Sequence, residues 1–498
     1  MREFWQEKRR RRARRAYDTA HALLLERRYE TALAWCERGL QLEPESKRLQ
    51  ILHGRLLADL TRYDEALVVF EGVVASWPAD DEAEHWAGYV LRRLGRYQEA
   101  IERFDRALAL NPKLSGTLFQ KAEALGGLKR LEDAIIYYDR SLELNSKNAR
   151  VWHNRGWTLH QLKDYNGAIA CYERALKIRS NASMTWNNLG LEYQYLGLLD
   201  KAQSNYTEAL KYDPTNLMAL NNRLNLLLAQ GKRADVEQAR RQILLACGRI
   251  LAQNPTDQLA LRVRIHVLGA LKRYAEALNE AQRLVENRPN DATSWTTLGS
   301  VWLRVKRYGS AVASYDRGLA IEDRNVVAWN NRADALIRLG EYQAALECIH
   351  RGLALDSADG GLWTTHGEAL YYLGRYDEAL EALAKARLNK TLNHSGAWTY
   401  TGRTYTKLGR YDDALAAIKE AVKANPEHAE AWATSAELFV ALERYDEAMK
   451  AVEHALGLDP ELVLAWRMKA QILSAMGRAE EATVATARAD KLDAEQKG

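Results

Sequence analysis

The chain has 498 residues, 47% apolar and 28% charged, with 8 prolines, 24 tyrosines and 14 tryptophans. This composition excludes a disordered, collagenous or disulfide-scaffolded chain, and the longest apolar runs, such as 66–70, fall far short of the roughly 20 residues a membrane span needs. The formal net charge is +5, yet residues 8–15 alone hold seven cations, so the remainder sums to −2 and has no general attraction for a phosphate backbone.

In chain order, residues 1–12 form a basic extension. Lys8, Arg9, Arg10, Arg11, Arg12, Arg14 and Arg15 precede Tyr17, so the tract runs into a first helix. It suits a solvated helix start, a docking strip for an acidic protein surface, or contact with RNA or DNA. The apolar stretch 21–25 is too short for a signal core and is followed by charge at 26–28, so no secretory leader is expected. Cys36, Cys171, Cys247 and Cys348 lack the spacing of a zinc or redox site and fit buried thiols in a reducing cytosol. A cytoplasmic protein is expected.

From Ala13 onward the chain repeats every 34 residues. Alanine recurs at Ala32, Ala66, Ala100, Ala134, Ala168 and Ala202, and again from Ala277 to Ala482. All eight prolines occupy one slot, twelve places after that alanine position. Tryptophan holds the fourth place eight times, as at Trp152, Trp186 and Trp329, and Gly or Ala follows four residues later. Fourteen units result: repeats 1–6 over 13–216, an extended seventh repeat with seven added residues over 217–257, repeats 8–14 over 258–496 with one extra residue in the eleventh, and a tail at 497–498. Because seven residues are close to two helical turns, the run 234–254 reads as one long helix whose apolar face keeps its phase.

Each unit divides into two helices. The first, such as 149–162, places Trp152, Gly156 and Leu159 at helical spacing. A turn such as Leu-Gly-Arg-Tyr-Asp at 373–377 follows, with glycine as a left-handed stop and an acid for the next helix start. The second helix carries Ala168, Tyr172 and Ala175, and proline ends the unit. Small residues here let two helix axes approach closely.

Trp186, Leu189, Gly190, Tyr193, Ala202, Tyr206, Ala209 and Pro214 show the pattern almost whole, and it resembles the tetratricopeptide repeat. The resemblance implies an all-α fold, a right-handed α-solenoid of about fourteen helix-turn-helix repeats whose first helices line an inner groove. A solenoid in which each repeat touches only its sequence neighbours offers extended surface rather than an enclosed pocket. It also implies a protein or peptide partner in the groove.

Positions 2, 5, 6, 9, 12 and 13 of the repeat face inward in this family. Across repeats 5–11 the sixth reads Asn154, Asn188, Asn222, Val263, Thr297, Asn331 and Thr365, with Asn187, Asn221 and Asn330 just before it and Asn225 at the ninth position. Amides that both donate and accept can read a peptide main chain. The row is similar to the asparagine ladder in the superhelix of O-linked N-acetylglucosamine transferase. The alternative is that these amides bond neighbouring helices. Tyr89, Trp157, Tyr195, Tyr371 and Tyr372 would add aromatic anchors on the same surface. The fifth position is never lysine, so the carboxylate clamp of chaperone-binding relatives is not expected.

No phosphate loop, nucleophile elbow or zinc-protease motif occurs, and the eleven histidines are dispersed, with His153 and His160 reading as polar groove lining. No metal or cofactor is expected. Asp and Glu mostly fall beside Arg or Lys and read as solvated surface charge. The sequence therefore predicts a non-enzymatic scaffold or adaptor, with a nucleic-acid-associated subunit or a regulatory subunit of a separate enzyme as alternatives. No membrane partner is expected.

Overall fold

The computed structural model describes residues 2–388 and 394–497. Among them are 28 α-helices and no strand, paired as fourteen hairpins from α1 (Arg2–Leu25) with α2 (Tyr29–Leu42) to α27 (Val463–Ala475) with α28 (Ala479–Lys497). The long helix expected in the seventh repeat is α14 (Arg233–Gln253). The chain divides into two compact units, Met1–Ala239 and Arg240–Gly498, and the division falls inside α14. The basic segment 1–12 is, from Arg2 onward, continuous with the first helix of repeat 1. The extra residue of the eleventh repeat falls between α22 (Tyr376–Ala386) and α23 (Ser395–Lys407), chiefly on 389–393, which lie outside the described residues.

The small residues do what their spacing predicts. A Cβ on Gly156 would lie 2.9 Å from the Tyr172 ring, and one on Gly190 would lie 2.8 Å from that of Tyr206. Both tyrosines are fully buried. Each such ring contributes about 2–3 kcal/mol of apolar burial, available only because the facing residue has no side chain. The tryptophans pack against the core and also serve the loops. Trp152 is half-buried, and its indole N–H donates to the Ser146 carbonyl at 2.9 Å. The same bond, to the carbonyl six residues earlier, is made by Trp186, Trp295, Trp329, Trp363, Trp432 and Trp466. Tryptophan thus fastens the loop between repeats.

Every hairpin turn contains one residue in the left-handed region. Glycine supplies it at seven turns, but Arg27, Thr61, Lys129, Lys163, Lys272, Lys306 and Glu443 adopt φ of 57–63°. The turn is held by its own backbone bonds: Arg96 N–H donates to the Leu91 carbonyl at 2.9 Å, and Gly95 N–H to that of Arg92 at 3.1 Å. The residue after the left-handed one is often arginine, bonded to an acid three places on, as in Arg96–Glu99 and Arg375–Glu378. Those acids sit in the first turn of the second helix, where the helix dipole favours them.

In the second unit the expectation that repeats touch only their neighbours is corrected. Lys306 Nζ stands 3.0 Å from Asp459 and 3.6 Å from Glu461, and Arg307 Nη1 donates to the Glu495 carbonyl at 2.7 Å. Helix α18 (Tyr308–Ile321) packs against α28. Repeat 9 thereby meets repeats 13 and 14, and the inner faces between them converge.

Candidate binding grooves

In the first unit, α9 (Ala149–Gln161), α10 (Tyr165–Ile178) and α11 (Ser183–Tyr195) bring aromatic rings to one edge. Trp157 is 44% exposed and Tyr195 57% exposed. Trp157 stacks on His160 with centroids 5.0 Å apart, and Tyr165 stacks on Tyr195 at 5.1 Å with the rings 2° from parallel. With Leu131, Gln161 and Lys163 they line an open cavity of about 490 Å³. Behind it, His160 Nδ1 lies 2.8 Å from Glu192 Oε1, close enough for an ion pair but without hydrogen-bond alignment. Glu192 is fully buried, and burial pushes its carboxyl up while His160 acts against that rise.

The amides lie mostly behind this surface. Asn222 donates to Asn187 at 3.0 Å, Asn187 donates to Asn188 at 3.2 Å, and Asn154 donates to Glu123 at 2.8 Å. Asn187 and Asn188 are buried, and Asn225 is exposed. In the second unit Thr365, also buried, donates to Asn330 at 2.8 Å, and Thr297 donates to the Thr293 carbonyl at 2.7 Å. Asn331 is half-buried. Three of these bonds link neighbouring repeats, those of Asn154, Asn222 and Thr365, while those of Asn187 and Thr297 stay within one repeat. An amide whose oxygen and nitrogen are already spent inside the stack has little left for a peptide. Tyr89 is half-buried against Trp86, with Arg92 over its ring.

The inner face of the second unit encloses a cavity of about 670 Å³ around an ionic network that the sequence reading placed among solvated surface charge. Arg338 lies 2.9 Å from Glu430 and 3.5 Å from Glu368. Tyr400 donates to Glu368, and Arg403 lies 3.1 Å from Glu437 and over the ring of Tyr371. Tyr371 is buried, whereas Tyr372 stacks on Tyr342 at 4.9 Å and lines the cavity. Burial lifts the Glu368 carboxyl to about 7 despite Arg338. Burial raises that of Glu430 too, but Arg338, His428 and Arg403 outweigh it and leave it below the ordinary range.

Ser395, His428 and Glu430 share the residue types of a hydrolytic triad. Ser395 Oγ is 2.8 Å from His428 Nδ1, and His428 Nε2 is 3.9 Å from Glu430. Yet Ser395 is 3% exposed and its hydroxyl donates to the Ala421 carbonyl at 2.9 Å. Its oxygen cannot reach a substrate, so the trio fastens α23 to the start of α25 (Ala429–Ala441). Among the described residues no group of three or more His, Cys, Asp or Glu could hold a metal. All four cysteines are free and buried.

Fourteen helix pairs, most of them crossing at a small residue, define a helical-repeat solenoid. Tetratricopeptide repeat models match residues 51–115, 149–181, 183–216, 263–326, 326–359, 364–426 and 405–472, together more than half of the chain. The chain belongs to the tetratricopeptide repeat family. A protein prenyltransferase alpha subunit repeat model also matches 131–162. No curated protein matches in sequence. Among solved structures, the crystal structure of the APC/C hetero-tetramer Cut9-Hcn1 is similar at 14% identity and TM-score 0.48, covering 91% of this chain and 95% of that one. MamA matches at 21% identity and TM-score 0.31 over 32% of this chain and 94% of its own. MamA 41-end from Desulfovibrio magneticus RS-1 matches at 20% identity and TM-score 0.31, over 34% and 96%.

Proposed function

We propose that this protein is a non-enzymatic adaptor that captures a partner protein on the aromatic edge of its first unit. The observation that carries this reading is the exposure of Trp157 and Tyr195 on either side of one cavity. Large rings left in water mark interaction surface when they cluster, and rings already stacked lose little freedom on binding. Backbone recognition by Asn225 and the rims of Asn154, Asn222 and Asn331 is secondary, because most of the other amides serve the stack. The inner cavity of the second unit, bounded by Tyr372, is a further place for a partner segment. No helix among the described residues is long and apolar enough to cross a membrane, and a cytoplasmic location is part of the proposal.

The test is affinity for the partner that co-purifies with the wild-type chain. Trp157→Ala combined with Tyr195→Ala should weaken binding by more than 20-fold while the thermal melt stays put, since truncating an interface anchor costs about 2 kcal/mol or more. Undiminished affinity in the double variant would remove this groove from the interface.

A further inference from the structure

We propose that the protruding start of α1 is a DNA-binding helix that fits the major groove of a B-form duplex. The inference concerns a surface separate from the aromatic groove and does not depend on it. Residues 4–12 are exposed on every side, and the first side chain to be buried is that of Ala13, followed by Ala16 and Ala20. About two and a half turns of helix therefore stand clear of the repeat stack. Six of the seven cations at 8–15 are arginines, and among the described residues only Arg11 has an ion-pair partner, Glu7 at 2.8 Å.

The distribution around the helix selects the partner. At 100° per residue, Arg10, Arg14, Arg11, Arg15, Lys8, Arg12 and Arg9 follow one another around roughly two thirds or more of the circumference. A planar membrane meets only one side of a helix and rewards an apolar face, yet residues 6–12 present no apolar face. A groove with phosphates on both walls meets a helix from several sides at once. The B-DNA major groove is about 12 Å wide, matching a helix of about 10–12 Å, whereas the major groove of A-form RNA is too narrow. Arginine's planar fork suits phosphate bidentately. At the tip, Phe4 is 67% and Trp5 56% exposed, and Lys8 sits over the Trp5 ring at 4.9 Å. With the rest of the chain summing to −2, attraction for phosphate is concentrated on this helix.

The full chain is titrated with a fluorescent 20-base-pair DNA duplex, the RNA duplex of the same sequence, phosphatidylserine-containing vesicles and a polyglutamate peptide, from about 50 to 200 mM salt. Expected is binding to the DNA duplex with log Kd rising about four to six per decade of salt, the signature of five to seven neutralised phosphates. It should fall at least 100-fold when Arg9, Arg10, Arg11 and Arg12 are all changed to Gln. Circular dichroism and the thermal melt of that variant should match the wild type, because these side chains touch nothing in the stack. DNA affinity unchanged in the variant, absence of binding at 50 mM salt, or tighter binding of RNA, vesicles or polyglutamate than of DNA would each overturn the proposal.

Discussion

Arg338→Met removes the one guanidinium that faces both Glu368 and Glu430 while keeping most of the side chain's bulk. A buried charge stripped of its partner costs about 3–5 kcal/mol. The two carboxylates do not share that cost equally. Glu368 already sits at about 7, so near neutral pH it escapes by taking up a proton. Glu430 keeps His428 at 3.9 Å, the longer-range pull of Arg403 and a side chain 21% exposed, yet without a proton of its own it bears most of the penalty. The expected loss is about 3 kcal/mol at pH 8. In the variant both carboxylates titrate higher when folded than when unfolded. The folded state then binds protons more readily, so the penalty is full above the folded pKa values and shrinks as the pH falls toward the ordinary 4.5. At pH 5.5 it should be less than half its value at pH 8. Urea melts followed by circular dichroism at the two pH values measure both, and Glu430→Gln in the same background should restore about 1 kcal/mol or more at pH 8. A loss under about 0.5 kcal/mol, or one that ignores pH, would refute a buried, mutually dependent network.

Lys129 holds φ at 61° in a hairpin turn; Lys129→Gly should gain about 0.5–1 kcal/mol, the relieved strain exceeding the extra freedom of the unfolded chain, and a lower melting temperature would contradict this. Gly190→Ala puts a Cβ 2.8 Å from the buried Tyr206 ring, so overpacking should outweigh alanine's helix preference and cost about 1–2 kcal/mol in a denaturant melt; neutrality would mean the ring has room to move. Burial, with Glu37 beside it, pushes the Cys36 thiol up to about 12, so at pH 8 it stays a thiol and should react with a disulfide reagent only as the chain unfolds; fast labelling of the native protein would show the site to be open.

The fold was legible because a 34-residue period repeats one packing rule: glycine or alanine on the first helix, a ring or large aliphatic on the second. Gly156 facing Tyr172 could be read from that spacing alone. What the spacing could not show was how far inner side chains reach across the curve. The sixth-position asparagines look alike in sequence whether their amides face a groove or the next repeat. Only the neighbour's contribution, Asn187 for Asn222 and Asn330 for Thr365, decides between the two. The ionic interior did leave a signal. Glu430 at repeat position 2, Glu368, Arg403 and Glu437 at position 9 and Arg338 at position 13 all occupy inward places. Opposite charges recurring there in successive repeats mark a buried network better than the asparagines mark a peptide site. The meeting of repeat 9 with repeats 13 and 14 left none, because it depends on curvature accumulated over many small helix crossings.

Lys306 belongs to the seven non-glycine residues bent into the left-handed region, and it is also the residue that reaches Asp459 and Glu461. Glycine would relax its loop, as at neighbouring turns, but would leave no ammonium to span the gap. A local discomfort of about 1 kcal/mol is thus exchanged for a clasp between segments 153 residues apart. Sequence changes that ease the corner loosen the ring, and a purely local measure of turn quality would favour the wrong amino acid at 306.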